Sequence, residues 1–197
     1  ILDFFLLSDV SILMVVPAVA ISTIVGALNG YVLTKWRFRG DSWVFGLMLF
    51  SCFIPFQIVL IPMARILGLL GLAGSTPGLI LVHVVYGIGF STLFFRNYYA
   101  AFPGELIRSA RMDGASPMRF FLDVVVPLSR TNLAALFVIL FIYGWNQYLW
   151  PLLITTDQSM YTVVIGIRSM IACGDAATLW NAVMATAMLA MLPPALV

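Results

Sequence analysis

The sequence predicts an all-α, polytopic membrane bundle, and three observations predict it. Of 197 residues, 62% are hydrophobic and 9% charged, where a soluble domain carries roughly 25% charged residues to keep its surface wetted. The charges cluster, leaving uncharged runs at 10–34, 42–64, 66–95, 131–156 and 176–197. Each run reaches the roughly 20 residues that a helix needs to cross the hydrocarbon core. The ten basic residues are also unevenly shared between the loops, as a membrane protein of fixed orientation requires.

Taken in order, the expected spans are 11–33, 43–64, 77–95, 132–154 and 179–197. The first holds Gly26 and Gly30, a small-xxx-small pair that lets helices approach closely. The loop 35–41 carries Lys35, Arg37 and Arg39 and is placed in the cytoplasm. The second span is interrupted by Pro55 and Pro62. The run 66–95 divides into a turn and a third span beginning near Pro77, loosened by Gly87 and Gly89. With alternating spans, Arg96, Arg108, Arg111, Arg119 and Arg130 join the cytoplasmic side, and only Arg65 and Arg168 fall outside. Eight of ten basic residues on one face fix the orientation. Asp3, Asp9, Asp157 and Asp175 all fall outside. Cys52 in a span and Cys173 in a loop are not expected to pair.

The polar stretch 96–130 is patterned. Pro103 and Gly104 open a short helix over 105–112 with Leu106, Ile107 and Ala110 on one face, and Gly114 ends it. Ser116 is an expected N-cap with Pro117 at the first helical position, restarting a helix through Met118, Phe120 and Phe121. Two short amphipathic helices at a glycine elbow on the positive side suit insertion into a partner's groove.

The run 105–129, Glu-Leu-Ile-Arg-Ser-Ala-Arg-Met-Asp-Gly-Ala-Ser-Pro-Met-Arg-Phe-Phe-Leu-Asp-Val-Val-Val-Pro-Leu-Ser, resembles the cytoplasmic coupling motif of binding-protein-dependent type I ABC importers. The family pattern is E-A-A, three residues, Gly, nine residues, then I-x-L-P. Here Arg108-Ser109-Ala110 stands at the first position, Gly114 at the glycine, and Val124-Val125-Val126-Pro127 at the last. Arg108 departs from the pattern by reversing the glutamate's charge, and Glu105 lies one turn earlier. The resemblance extends over nearly the whole chain and points to the carbohydrate-uptake branch. The second half, through Phe141-Ile-Tyr-Gly-Trp-Asn-Gln-Tyr-Leu-Trp-Pro-Leu-Leu153, is similar to permeases of sn-glycerol-3-phosphate importers. The first half, through Gly26-Ala-Leu-Asn-Gly-Tyr-Val32 and Leu93-Phe-Phe-Arg-Asn-Tyr-Tyr-Ala-Ala101, is closer to the glucose/mannose type.

What the resemblance implies is a permease subunit in the bacterial inner membrane that moves a sugar or sn-glycerol-3-phosphate by alternating access. It implies six spans in a full-length relative, so five are visible here and one N-terminal span and a cytoplasmic tail are expected to be missing. It implies four kinds of neighbour: a second homologous permease, two ATP-binding subunits, a periplasmic solute-binding protein and membrane lipid. ATP and Mg are used by the ATPase partner, and no cofactor is expected on this chain. The coupling segment is 103–122. Its contact residues are Glu105, Arg108, Ser109, Ala110, Asp113, Gly114 and Ala115, with Pro127 behind them.

Candidates for a translocation path are Gln57, His83, Asn146 and Gln147, polar groups at membrane depth. For His83 a helix–helix hydrogen bond is the competing role, and for the Trp145–Tyr148 cluster an interfacial anchor. Enzyme readings find no support: there is no G-x-x-x-x-G-K-[ST], Lys35 is the sole lysine, and one histidine excludes a multi-histidine metal site. A net charge of +2 gives no reason to expect a nucleic-acid partner. A secondary transporter is the rival class, though it would call for an intramembrane carboxylate. A non-transporting, degenerate permease fragment is the other alternative.

Overall fold

The computed structural model describes residues 2–36, 38–155, 157, 160–171 and 180–197, with side chains from Leu7 onward. Arg37, Cys173, Asp175 and much of the loop 155–179 lie outside the described residues. The regular elements described are all helical. In chain order they are α1 (Leu2–Lys35), α2 (Asp41–Phe53), α3 (Phe56–Leu69), α4 (Thr76–Ala100), α5 (Gly104–Met112), α6 (Pro117–Phe120), a π-helical turn (Phe121–Val125), α7 (Val126–Leu128), α8 (Arg130–Trp145), α9 (Leu149–Ile154), α10 (Val163–Ile171), α11 (Trp180–Ala190) and α12 (Leu192–Leu196).

Two helices, α1 over Leu7–Lys35 and α4, are each long and apolar enough to cross a membrane. Counting the broken pairs α2–α3 and α6–α8 as one span each raises the number to four, and α11–α12 form a shorter apolar segment. The breaks have local causes. Pro55 forces Ile54 into an extended conformation (φ −72°, ψ 119°), which separates α2 from α3. Pro62, by contrast, lies inside a continuous α3 and interrupts nothing. Gly87 and Gly89 likewise sit inside a continuous α4.

The stretch 132–154 is not one helix. α8 stops at Trp145, the chain unwinds over Asn146–Tyr148, and α9 restarts at Leu149. Pro151 has no N–H to offer the Gln147 carbonyl and cannot follow an unbroken helix there. Pro127 acts similarly further upstream. It withholds a donor from the Asp123 carbonyl, and the Val126 N–H bonds Phe121 instead, the wide spacing of a π turn.

The helices group into two compact units, one comprising Ile1–Ala20, Pro55–Val85 and Val138–Val197, the other Ile21–Ile54 and Tyr86–Phe137. In the second unit, a stripe of Ser22, Gly26 and Gly30 on α1 meets Gly87, Ser91 and Phe95 on α4. A Cβ added at Gly30 would lie 2.7 Å from the Phe95 Cβ, and one at Gly26 would collide with Ser91. Gly87 has no room for a Cβ against Ser22 either. Both stripes advance in steps of four in the same direction, so the helices run parallel. That is the arrangement of two spans separated by one returning span. Glycine here serves close approach in α4 as well as in α1. Thr34 extends the seam: its Oγ1 donates to the Gly30 carbonyl at 2.6 Å and lies 3.3 Å from the Arg96 carbonyl.

In the first unit, buried polar groups replace missing backbone partners. The Trp145 Nε1–H donates to the Ala190 carbonyl at 3.1 Å. In an α-helix that carbonyl would accept from residue 194, which is proline and has no N–H. Ser11 Oγ accepts from the Val163 N–H at 3.0 Å, satisfying a free donor at the start of α10. Gly144 faces Val15 closely, and α3 packs on α9.

Candidate functional site

The candidate site is the elbow between α5 and α6. Pro103 (φ −56°, ψ 132°) precedes α5 and cannot continue a helix backwards. At the far end Gly114 adopts φ +72°, a left-handed conformation that ordinary side chains resist. The Ala115 N–H bonds the Ala110 carbonyl at 2.9 Å and the Gly114 N–H bonds the Arg111 carbonyl at 3.1 Å. This pair of bonds is the Schellman closure of a helix C-terminus, and it fixes the angle at which the chain leaves α5. Ser116 Oγ then accepts from the Arg119 N–H at 3.3 Å, with Pro117 at the first position of α6.

The inner side of the elbow is seated on α1. The buried Tyr31 donates its hydroxyl hydrogen to the Pro117 carbonyl at 3.0 Å. Its ring lies 5.0 Å from the Phe121 ring and 6.4 Å from that of Phe120, both buried. Downstream, Tyr98 of α4 donates to the Leu128 carbonyl at 3.1 Å. Tyr98, Tyr99 and Phe102 form an aromatic cluster with centroids 5.1–5.7 Å apart. Both ends of the segment are therefore tied to long helices, the elbow to α1 through Tyr31 and Leu128 to α4 through Tyr98.

The outer side is open. Glu105, Arg108, Ser109 and Met112 fall at i, i+3, i+4 and i+7 on α5 and are all exposed, Met112 by 83%. Asp113 and Gly114 at the corner are exposed too, and Met118 adds an exposed apolar side chain from α6. Ala110 and Ala115 are half-buried, on the inner side. Pro127 is separate: it is half-buried in α7 beyond the π turn, where it shapes the backbone. The exposed Arg119–Asp123 pair, 3.2 Å apart, is the only ion pair among the described residues.

The four path candidates all belong to the first unit, and no hydrogen bond joins any two of them. Gln57 is exposed near the start of α3. The His83 Nδ1 lies 2.8 Å from the Leu79 carbonyl, which makes Nδ1 the protonated nitrogen, while its Nε2 is buried without a partner. Asn146 is exposed and donates back to the Ile142 carbonyl at 2.8 Å, whereas Gln147 is buried. These last two sit where the α8–α9 backbone unwinds. Among the described residues, no three His, Cys, Asp or Glu side chains gather as a metal site would require. Sequence reasoning missed Tyr31, Tyr98, Phe120 and Phe121 as the seats of the elbow. Only an aromatic content common to membrane helices marked them.

The chain is 48% identical over 173 residues to the sn-glycerol-3-phosphate transport system permease protein UgpE of Pectobacterium atrosepticum, covering 88% of this chain and 61% of that protein. Identity to the proteins of the same name is 46% in Yersinia pestis and 44% in Shigella flexneri, with the same coverage. The chain thus spans about 61% of the length of the curated relatives it matches. Among solved structures, that of a bacterial ABC transporter involved in the import of the acidic polysaccharide alginate contains a chain of the same fold. Its TM-score is 0.79 at 22% identity, over 96% of this chain and 70% of that one. The family model for the inner membrane component of binding-protein-dependent transport systems matches residues 18–197, and the chain belongs to that family.

Proposed function

We propose that the chain is the core of a permease subunit in an ATP-driven importer of sn-glycerol-3-phosphate, working by alternating access. The observation that carries this reading is the elbow. It is rigidly closed at Gly114, seated by Tyr31 on α1, and open along Glu105, Arg108, Ser109 and Met112. An exposed, preorganised helix face on the positive side of a membrane protein suits docking into a groove of a cytoplasmic subunit. In this reading two ATP-binding subunits hold the elbows of this permease and of a second, homologous one. A periplasmic binding protein delivers solute, and ATP with Mg is hydrolysed in the partners alone. Arg108 reverses the charge of the family's glutamate, so the facing surface is expected to present a carboxylate. The proposed spans are α1, α2–α3, α4, α8–α9 and α11–α12, with the coupling segment 103–122 in the cytoplasm.

The choice of solute draws on the relatives, whose names specify sn-glycerol-3-phosphate, over the glucose/mannose likeness of the first half. A phosphate ester calls for cationic or strongly donating contacts. Arg65 on α3 and Arg168 on α10 are exposed and are the basic residues expected on the outer side. The test is a chimera in which residues 18–197 replace the matching stretch of the Pectobacterium permease. In cells lacking their own permease, it is expected to restore uptake of labelled sn-glycerol-3-phosphate. Restored uptake of glucose alone, or of neither, would refute the assignment. Arg65→Glu and Arg168→Glu should each weaken uptake of the ester, and unchanged kinetics in both would remove them from the path.

A further inference from the structure

Behind the elbow lies an open cleft whose chemistry the coupling role leaves unused. Its walls include Tyr31, Lys35 and Trp36 at the end of α1, Ile107 and Arg111 of α5, and Phe120 of α6. Two of these are cations, and neither has a carboxylate within ion-pair distance among the described residues. The Lys35 ammonium is 5.9 Å from the Phe102 ring centroid, and its stem is half-buried. The Tyr31 hydroxyl hydrogen is committed to the Pro117 carbonyl, which leaves the Lys35 ammonium, the Arg111 guanidinium and the Trp36 indole N–H as the side-chain donors among these residues. The remaining walls are apolar or aromatic, and Trp36, 47% exposed, marks the level where the α1 span meets water.

Two unpaired cations at the rim of an apolar cleft, at the cytoplasmic end of a span, match one ligand chemistry: a phosphate monoanion or dianion attached to an apolar tail. We propose that this cleft binds the phosphate headgroup of an anionic phospholipid of the inner leaflet. Lys35 and Arg111 hold the phosphate, and Ile107 and Phe120 lie against the adjoining glycerol and upper acyl carbons. Bound there, the lipid bridges α1 and α5 beside the Tyr31–Pro117 contact and stiffens the seat of the elbow. The apolar walls favour a lipid over free phosphate, which would leave them wet. The site depends on the inner-membrane orientation of the chain but not on the solute carried or on the ATPase contact.

The test uses the full chain in nanodiscs of equal parts phosphatidylcholine and phosphatidylglycerol. After mild detergent extraction, native mass spectrometry counts the lipids retained. Wild-type protein is expected to retain phosphatidylglycerol over phosphatidylcholine. In the double variant Lys35→Gln with Arg111→Gln that preference should fall by about fivefold for each charge removed. Lys35→Arg with Arg111→Lys keeps both charges and should keep the lipid, which separates loss of the site from loss of the fold. Arg119→Gln, on the same elbow but outside the cleft, should retain lipid like the wild type. Equal retention in the double neutral variant, or an equal loss in Arg119→Gln, would overturn the site. In phosphatidylcholine discs, millimolar inorganic phosphate should give no Lys35- and Arg111-dependent protection of the elbow from proteolysis. Protection there without phosphatidylglycerol retention would overturn the lipid and leave free phosphate as the ligand.

Discussion

Gly114 offers the sharpest perturbation of the elbow. Its φ of +72° is unfavourable for residues with a Cβ, yet a Cβ built there meets nothing within 4 Å. The cost of a substitution is therefore conformational and local, with no steric term from packing. For an alanine the left-handed region costs about 1–2 kcal/mol, which lowers the population of the closed elbow by about 5- to 30-fold. Asparagine tolerates this region better and should cost less, whereas a β-branched valine should cost more. The readout is amide hydrogen exchange at position 115, whose N–H is bonded to the Ala110 carbonyl only while the closure holds. Exchange should quicken little in Gly114→Asn, by about 5- to 30-fold in Gly114→Ala, and further in Gly114→Val. If all three matched the wild type, or if Asn were as damaging as Val, the left-handed closure would not be what fixes the elbow.

Three further outcomes follow from packing and hydrogen bonding. Gly26→Ala should destabilise the protein by about 1–3 kcal/mol, because its Cβ meets Ser91 side-chain and backbone atoms that cannot all retreat. Gly46→Ala has open space inside α2 and should be neutral or stabilising; thermal unfolding in detergent compares the two. Trp145→Phe should cost about 1–3 kcal/mol by leaving the Ala190 carbonyl without a donor. Pro194→Ala restores a backbone N–H and should make the Trp145→Phe change milder, so equal losses in both backgrounds would contradict the hydrogen-bond account. Tyr31→Phe keeps the rings but loses the bond to Pro117, and should cost about 1 kcal/mol with faster exchange across α5 and α6.

Local chemistry was legible in the sequence, and contact between distant segments was not. The end of α5, the glycine at the corner, the Ser116 cap and Pro117 at the start of α6 all follow from capping preferences that act within five residues. Hydropathy places apolar stretches correctly but measures only length. It therefore marked 132–154 as one apolar segment without revealing that Pro151 and the unwound Asn146–Tyr148 divide it into the helices α8 and α9. Gly26 and Gly30 announced a close approach without naming the surface approached. The complement, Gly87, Ser91 and Phe95, lies some 65 positions away in sequence, and Gly87 suggested looseness when it serves the same seam. The Trp145–Ala190 bond was hidden for a like reason: its logic requires knowing that Pro194 strips a carbonyl of its donor and that an indole from another helix reaches it.

The exposed groups of the elbow were nameable in advance, since the spacing of Glu105, Arg108 and Ser109 puts them on one helical face. Their seat was not nameable. Tyr31 ends an apolar run, and nothing in its neighbours reveals that it holds Pro117 and Phe121. In the proposed role the division of labour is physical: the outer face is left free for another subunit, while the inner face would convert movement of that subunit into movement of α1 and α4.

That conversion is tested most directly by placing a photo-crosslinking side chain at Ser109 in the assembled importer, with the same side chain at the exposed Leu70 after α3 as the comparison. The account predicts a crosslink from position 109 to an ATP-binding subunit and none to it from position 70. Labelling of lipid alone from position 109, or equal capture of the ATP-binding subunit from both positions, would contradict it.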